Sequence, residues 1–370
     1  MKALVIGGTG PTGPYLVNGL LARGYDVAML HRGTHELEEN PSEVEHIHVD
    51  PHFHETLEQG LGGRKFDIAI ATYGRIRVIA ETLVGKTPRL ITIGGPPCYR
   101  GMFDPEANFP RGMPIPTPEN APRVESLEES SFGFKIRQTE DTIMACHAAG
   151  HYNATVFRYP AVYGPNQIGS LEWLIMKRVQ DKRRQIILPD GGLSLLSRGY
   201  AQNMAHAVLL SVDQPQAAAG KIYNCADEQA LTYAQWAQMV ARCMDWEFEI
   251  CGVPDAFAHS ARDFFSLGST ADHQLLDIFQ VRHDLGYRDL TPVTEAIPAT
   301  VEWLLEHKPD NDGKYLNRPD PLNYALEDQL LEIYNEAQQK LRKIPFTAKQ
   351  VHHPYPHPKQ AGLARDHRQR

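Results

Sequence analysis

Short apolar runs alternate with amphipathic stretches along roughly the first 160 residues. Ala3–Ile6, Val27–Leu30, Val44–Val49, Phe66–Ala71, Arg89–Ile93 and Ala154–Arg158 read as strands. Leu16, Leu20 and Leu21 recur at helical spacing between the first two runs. A longer helix is expected over residues 131–149, with Lys135 near its start. Near-continuous apolar strands separated by helices predict an α/β fold with a Rossmann-type doubly wound parallel sheet. Residues 101–122, rich in Pro and Gly, read as a long surface excursion. Beyond the sixth run the grammar becomes mixed. Residues 170–184 form a basic amphipathic helix and Ala201–Ser211 a second helix. Lys221–Asn224 is a short strand, and Thr232 caps a helix over 233–244. Residues 322–343 read as a long helix with Leu326, Leu330, Ile333, Ala337 and Leu341 on one face. The stretch from Phe346 is Pro- and His-rich and aperiodic.

The first strand runs into Gly7-Gly8-Thr9-Gly10-Pro11-Thr12-Gly13, and a helix follows. In that context a glycine triplet is a dinucleotide fingerprint. Gly7 makes the tight turn, Gly10 admits a pyrophosphate close to the backbone, and Gly13 lets helix and sheet approach. The helix N-terminus offers free N–H groups to phosphate. The expected organisation is a dinucleotide-binding domain at 1–165, a smaller mixed substrate region at 166–310 interleaved with it, and a C-terminal helix and tail at 311–370.

The net charge is −8, which argues against a nucleic-acid surface, and no apolar run approaches a membrane span. The N-terminal Met-Lys-Ala-Leu-Val-Ile is better read as a strand than as a signal segment. Cys98, Cys146, Cys225, Cys243 and Cys251 are scattered without metal spacing. They are expected as buried reduced thiols in a cytoplasmic protein.

Further residues fit one family. They are Asp50 after strand three, Arg158-Tyr159-Pro160-Ala161-Val162-Tyr163-Gly164-Pro165 after strand six, and Asp284-Leu285-Gly286-Tyr287 followed by Val301-Glu302-Trp303. With the glycine loop they resemble the extended short-chain dehydrogenase/reductases, in particular the NAD(P)-dependent epimerase/dehydratase group, over about residues 1–305. The resemblance implies a bound NAD or NADP and a nucleotide-sugar or small carbonyl substrate. It also implies a catalytic Tyr three residues before a Lys, and a Ser or Thr after strand five. Lys135 holds the Lys position, where it would bind the nicotinamide ribose. Ser131 stands where the Tyr belongs and Gly95 where the Ser belongs. A serine hydroxyl is too weak an acid to replace a phenol. Tyr73 after strand four and Tyr99 after strand five are the relocated candidates, each with a structural alternative.

The resemblance also assigns Gly7, Gly10, Pro11, Thr12, Gly13, Asp50, Thr72, Lys135, Tyr159 and Pro160 to the cofactor. NAD-specific members end strand two on a carboxylate; here His31 and Arg32 follow, and Arg32 suits a 2′-phosphate. NADP is therefore favoured over NAD. Tyr163 and Arg198 are substrate-side candidates, Tyr163 with a packed aromatic as its alternative. Lys177, Arg178, Lys182, Arg183 and Arg184 either face an anionic substrate group or form a solvated face. His46, His48, His52 and His54 alternate around strand three but lack a completing carboxylate or Cys, so no metal is expected. Two functions remain open: an NAD(P)-dependent oxidoreductase or epimerase/dehydratase-like enzyme with a rearranged proton donor, and a redox-silent NADP-binding sensor or scaffold. Partners are a small-molecule substrate and a second copy in a homodimer, with no nucleic acid or membrane. Residues 346–370 are expected to pack on their own chain or that partner.

Overall fold

The computed structural model describes residues 1–33, 37, 39–41, 44–167, 171–258, 271–309, 322–345, 355–366 and 369. Its centre is a seven-stranded, all-parallel sheet. The strands are β1 (Lys2–Ile6), β2 (Asp26–His31), β3 (Glu45–His48), β4 (Ile68–Ala71), β5 (Arg89–Gly94), β6 (Asn153–Arg158) and, after four short strands, β11 (Lys221–Asn224), in the order β11-β6-β5-β4-β1-β2-β3. The doubly wound expectation holds. Lys221–Asn224, expected in the smaller mixed segment, instead pairs with β6 and extends the main sheet.

Strand periodicity sorts the core into two halves. On one face Ala3 and Val5 of β1 pack with Leu16 and Leu20 of α1 (Gly13–Leu21) and with Val208 of α6 (Ala201–Asp213). On the other, Leu4 and Ile6 meet Leu57 of α2 (His54–Leu61), Ile79 of α3 (Ile76–Thr82) and Ile143 of α4 (Ser131–Ala148). The sheet is thus covered on both sides, as parallel strands require.

The remaining strands are short pairs: β7 (Ala161–Tyr163) with β10 (Arg198–Tyr200), β8 (Gln185–Pro189) with β13 (Glu249–Val253), and β9 (Leu195–Leu196) with β12 (Leu231–Thr232). Thr232 caps α7 (Tyr233–Arg242) through a capping box with Gln235, as its sequence position predicted.

Residues 101–122 run partly exposed over the surface, as expected, but are pinned to the sheet. Arg158 donates to the Glu119 carbonyl at 2.8 Å, and Asn224 Nδ2 to the Thr117 carbonyl at 2.9 Å. The Thr117 amide donates to Leu275 O at 2.7 Å. Met102, Met113 and Ala121 are buried as a result.

The described chain forms two compact units, Met1–Glu327 and Asp328–Arg370. The first holds the sheet and the short strand pairs. The second carries most of the helix Tyr324–Arg342, where Ile333 and Leu341 of the expected apolar stripe are exposed. In it the His357 amide donates to Asp366 at 3.3 Å. The rest of the tail expectation, residues 346–354, 367, 368 and 370, falls outside the described residues. No helix among the described residues is long and apolar enough to cross a membrane.

Candidate functional site

The glycine loop follows β1, at the point where the strand order reverses. Gly7 has φ +106°, and a Cβ there would lie 2.2 Å from Thr72 Oγ1. A Cβ on Gly13 would lie 2.0 Å from the Gly8 carbonyl oxygen, so helix and loop touch backbone to backbone. Gly10 differs: an added Cβ meets nothing within 4 Å. Thr12, the N-cap of α1, makes no side-chain capping bond. An open cradle over Gly10, beside a helix N-terminus without a side-chain cap, fits a dinucleotide pyrophosphate.

A cavity of about 410 Å³ opens at the carboxyl ends of β4, β5 and β6. Thr72, Tyr73, Gly95, Tyr159 and Pro160 line its strand side. Thr72 donates its hydroxyl to Ile6 O at 3.2 Å. Tyr159 is buried and donates to Met204 O at 2.8 Å, so its ring, not its hydroxyl, serves the cavity. Tyr73 is 43% exposed and stands at the mouth.

His52 shares this wall. Its ring meets Tyr73 edge to face with centroids 5.2 Å apart. Asp50 Oδ1 lies 2.6 Å from His52 Nδ1, and this contact holds the Asp50 carboxyl below its ordinary range. An ionised Asp50 accepting from Nδ1 leaves His52 Nε2 as the acceptor nitrogen. Asp50, His52 and Tyr73 therefore form a row at the cavity. The sequence had placed Asp50 with the cofactor and His52 among structural histidines. The one available signal was the i, i+2 spacing of Asp50 and His52 just before a helix.

Tyr99 is not in the cavity. It is 1% exposed; its hydroxyl donates to Asn224 Oδ1 at 2.7 Å and accepts from Arg158 at 2.6 Å. Burial raises its pKa strongly, which removes it as a proton donor. Tyr163 is fully buried against Trp236 and donates to Asp227 at 2.8 Å, so it is packed rather than substrate-facing. Arg198 is likewise buried, 3.1 Å from Glu172 and stacked over Trp236. Its neighbours Leu196 and Ser197 reach the cavity instead.

Ser131 and Lys135 are exposed on α4, whose Phe132 and Ile136 line the cavity. The His31 ring is buried and lies 2.8 Å from His46 of β3. Arg32 is exposed, its guanidinium 5.6 Å from the Tyr73 ring centroid. The expected histidine run divides. His31, His46 and His48 gather with ring nitrogens within 4.8 Å, while His54 contacts Thr82. Of the basic run, Arg178 is buried on Glu327, Lys177 pairs with Asp181, and Arg184 stacks on Trp246. Cys98, Cys225 and Cys251 are buried free thiols, whereas Cys243 is exposed.

Residues 109–226 match the NAD dependent epimerase/dehydratase family. Over 171 residues the chain is 23% identical to the uncharacterized protein YbjS of Escherichia coli strain K12, covering 41% of this chain and half the length of that protein. UDP-glucose 4-epimerase of Thermotoga maritima, solved with UDP-glucose, superposes with a TM-score of 0.67 at 16% identity, covering 83% of this chain and 99% of that one. DesIV, a dTDP-glucose 4,6-dehydratase from Streptomyces venezuelae, gives 0.64 at 18% identity over 83% and 97% of the two chains. At these identities the structures share the fold.

Proposed function

For a chain whose residues 109–226 carry the NAD-dependent epimerase/dehydratase family's sequence, we propose an NAD(P)-dependent oxidoreductase that acts on a carbonyl or hydroxyl group in the strand-end cavity. The row Asp50–His52–Tyr73 at that cavity carries the reading. A nicotinamide held by the glycine loop would supply or take the hydride. In the reducing direction the substrate carbon receives that hydride and its oxygen receives a proton from the Tyr73 hydroxyl. His52 would take up a proton from solvent at Nε2, with Asp50 stabilising the charged imidazole, and pass it to Tyr73, returning to its neutral form. Apolar walls exclude water from the reacting atoms. Arg32, exposed at the end of β2, supports NADP as the preferred cofactor.

The missing Ser and Tyr favour the second reading, a redox-silent NADP-binding protein. Turnover separates the two. Tyr73→Phe should cut carbonyl-dependent NADPH oxidation by about 10²–10⁴-fold with cofactor affinity unchanged, and His52→Gln should act in the same direction. Turnover surviving in both single variants and in the double would remove this row from catalysis. Cofactor binding with no turnover on any carbonyl would favour the sensor.

A further inference from the structure

The helix Tyr324–Arg342 has more apolar surface than its own chain covers. Along one side Leu331 is buried, and Tyr334 and Gln338 are half-buried. Beside that side runs a second stripe. Leu330, Ile333, Ala337, Leu341 and, just past the helix end, Ile344 recur at steps of three and four residues, the spacing of one helix face. Leu330 is half-buried, but Ile333 is 67% exposed, Leu341 60% and Ile344 63%, and Ala337 is exposed with them. A contiguous exposed apolar stripe marks an interaction surface.

The stripe is symmetric about Ala337. Ile333 and Leu341 lie four residues to either side of it, and Leu330 and Ile344 seven. Such a stripe is self-complementary when two copies run antiparallel across a twofold axis at Ala337. Ile333 then meets the partner's Leu341, Leu330 meets the partner's Ile344, and the small Ala337 lets the helices approach at the axis.

Charge selects the same direction. Glu336 and Lys340 border the stripe, and Glu332 and Lys343 lie further round the same side; all four are exposed. The acidic pair is in the first half and the basic pair in the second. Antiparallel copies set Glu332 and Glu336 beside the partner's Lys343 and Lys340, whereas parallel copies set like charges together. The 2.6 Å contact of Lys340 with Glu336 within the chain is exposed at both ends, so it competes weakly.

We propose that this helix is a dimerisation element, and that what covers its stripe is the same helix of a second copy, packed antiparallel about Ala337. The interface needs neither cofactor nor turnover.

Sedimentation velocity of the full chain tests it. The wild type should sediment at twice the 41.5 kDa chain mass at a concentration on the order of 10 µM. Ile333→Glu combined with Leu341→Glu should sediment as a monomer. Glu332→Lys with Glu336→Lys should weaken association by about tenfold, and adding Lys340→Glu and Lys343→Glu should restore it. Far-ultraviolet circular dichroism checks that each variant keeps its helix, and the wild-type result stands where one does not. A wild type that is monomeric at a concentration on the order of 100 µM overturns the proposal; its own chain would then cover the stripe. A dimer that survives Ile333→Glu with Leu341→Glu also overturns it, because the contact would lie on another face. Failure of the full charge swap to restore association contradicts the antiparallel order.

Discussion

Tyr73, Tyr99 and Tyr163 carry the same phenol, and their surroundings separate their roles. Tyr73 stands at the cavity mouth, while the other two are sealed into hydrogen-bond networks. Asp227, the acceptor for Tyr163, shows what such sealing costs. Burial is the largest influence on it and pushes its pKa from 3.8 up to about 6, against donors from Asn203 and the Tyr200 amide. A carboxyl whose pKa is raised on folding binds its proton more tightly in the native state. Its contribution to stability is complete below about pH 4 and is lost as pH rises through 6. Asp227→Asn removes that dependence. The urea-measured stability of the wild type minus that of the variant should fall between pH 4 and 6, by on the order of 2–3 kcal/mol. A flat difference across that window would show that Asp227 does not titrate there.

At the scale of elements, the ion pair of β6 with α4 ties the cavity wall to the sheet. Arg158 and Glu140 are both buried and meet through two contacts of 2.7 Å. Arg158 also reaches the Glu119 carbonyl, and so holds the 101–122 segment. Arg158→Met leaves a carboxylate buried, with Arg123 at 3.0 Å as its remaining partner. It should cost about 3–5 kcal/mol in chemical unfolding, and adding Glu140→Leu should recover a large part of that. No recovery in the double variant would mean that packing, not the uncompensated charge, dominates. The end of β6 and the glycine loop were legible because their signals are local, a strand end and a strand-turn-helix, whereas the pairing of Arg158 with Glu140 was not. Nor was the pinned segment. Pro and Gly richness describes its backbone, but its partners, Asn224 and Leu275, lie more than a hundred residues away in sequence. His52 was missed for the same reason. Its place beside Tyr73 comes from neighbours that only the folded chain supplies.

At the scale of the whole molecule, the account rests on one division of labour in unit Met1–Glu327. In the proposed reading the loop after β1 would hold the cofactor, and the cavity at the ends of β4, β5 and β6 would hold the substrate. Gly10 gives the most direct test. Its backbone is not in the left-handed region, and an added Cβ meets no protein atom within 4 Å. Gly10→Val is therefore expected to fold while filling the space assigned to the pyrophosphate. Isothermal titration calorimetry of the wild type and this variant, with NADP and with NAD, is the decisive measurement. The account predicts that the wild type binds both, NADP more tightly, and that Gly10→Val binds neither while its melting temperature is unchanged. Unchanged affinity for both cofactors in Gly10→Val would contradict it.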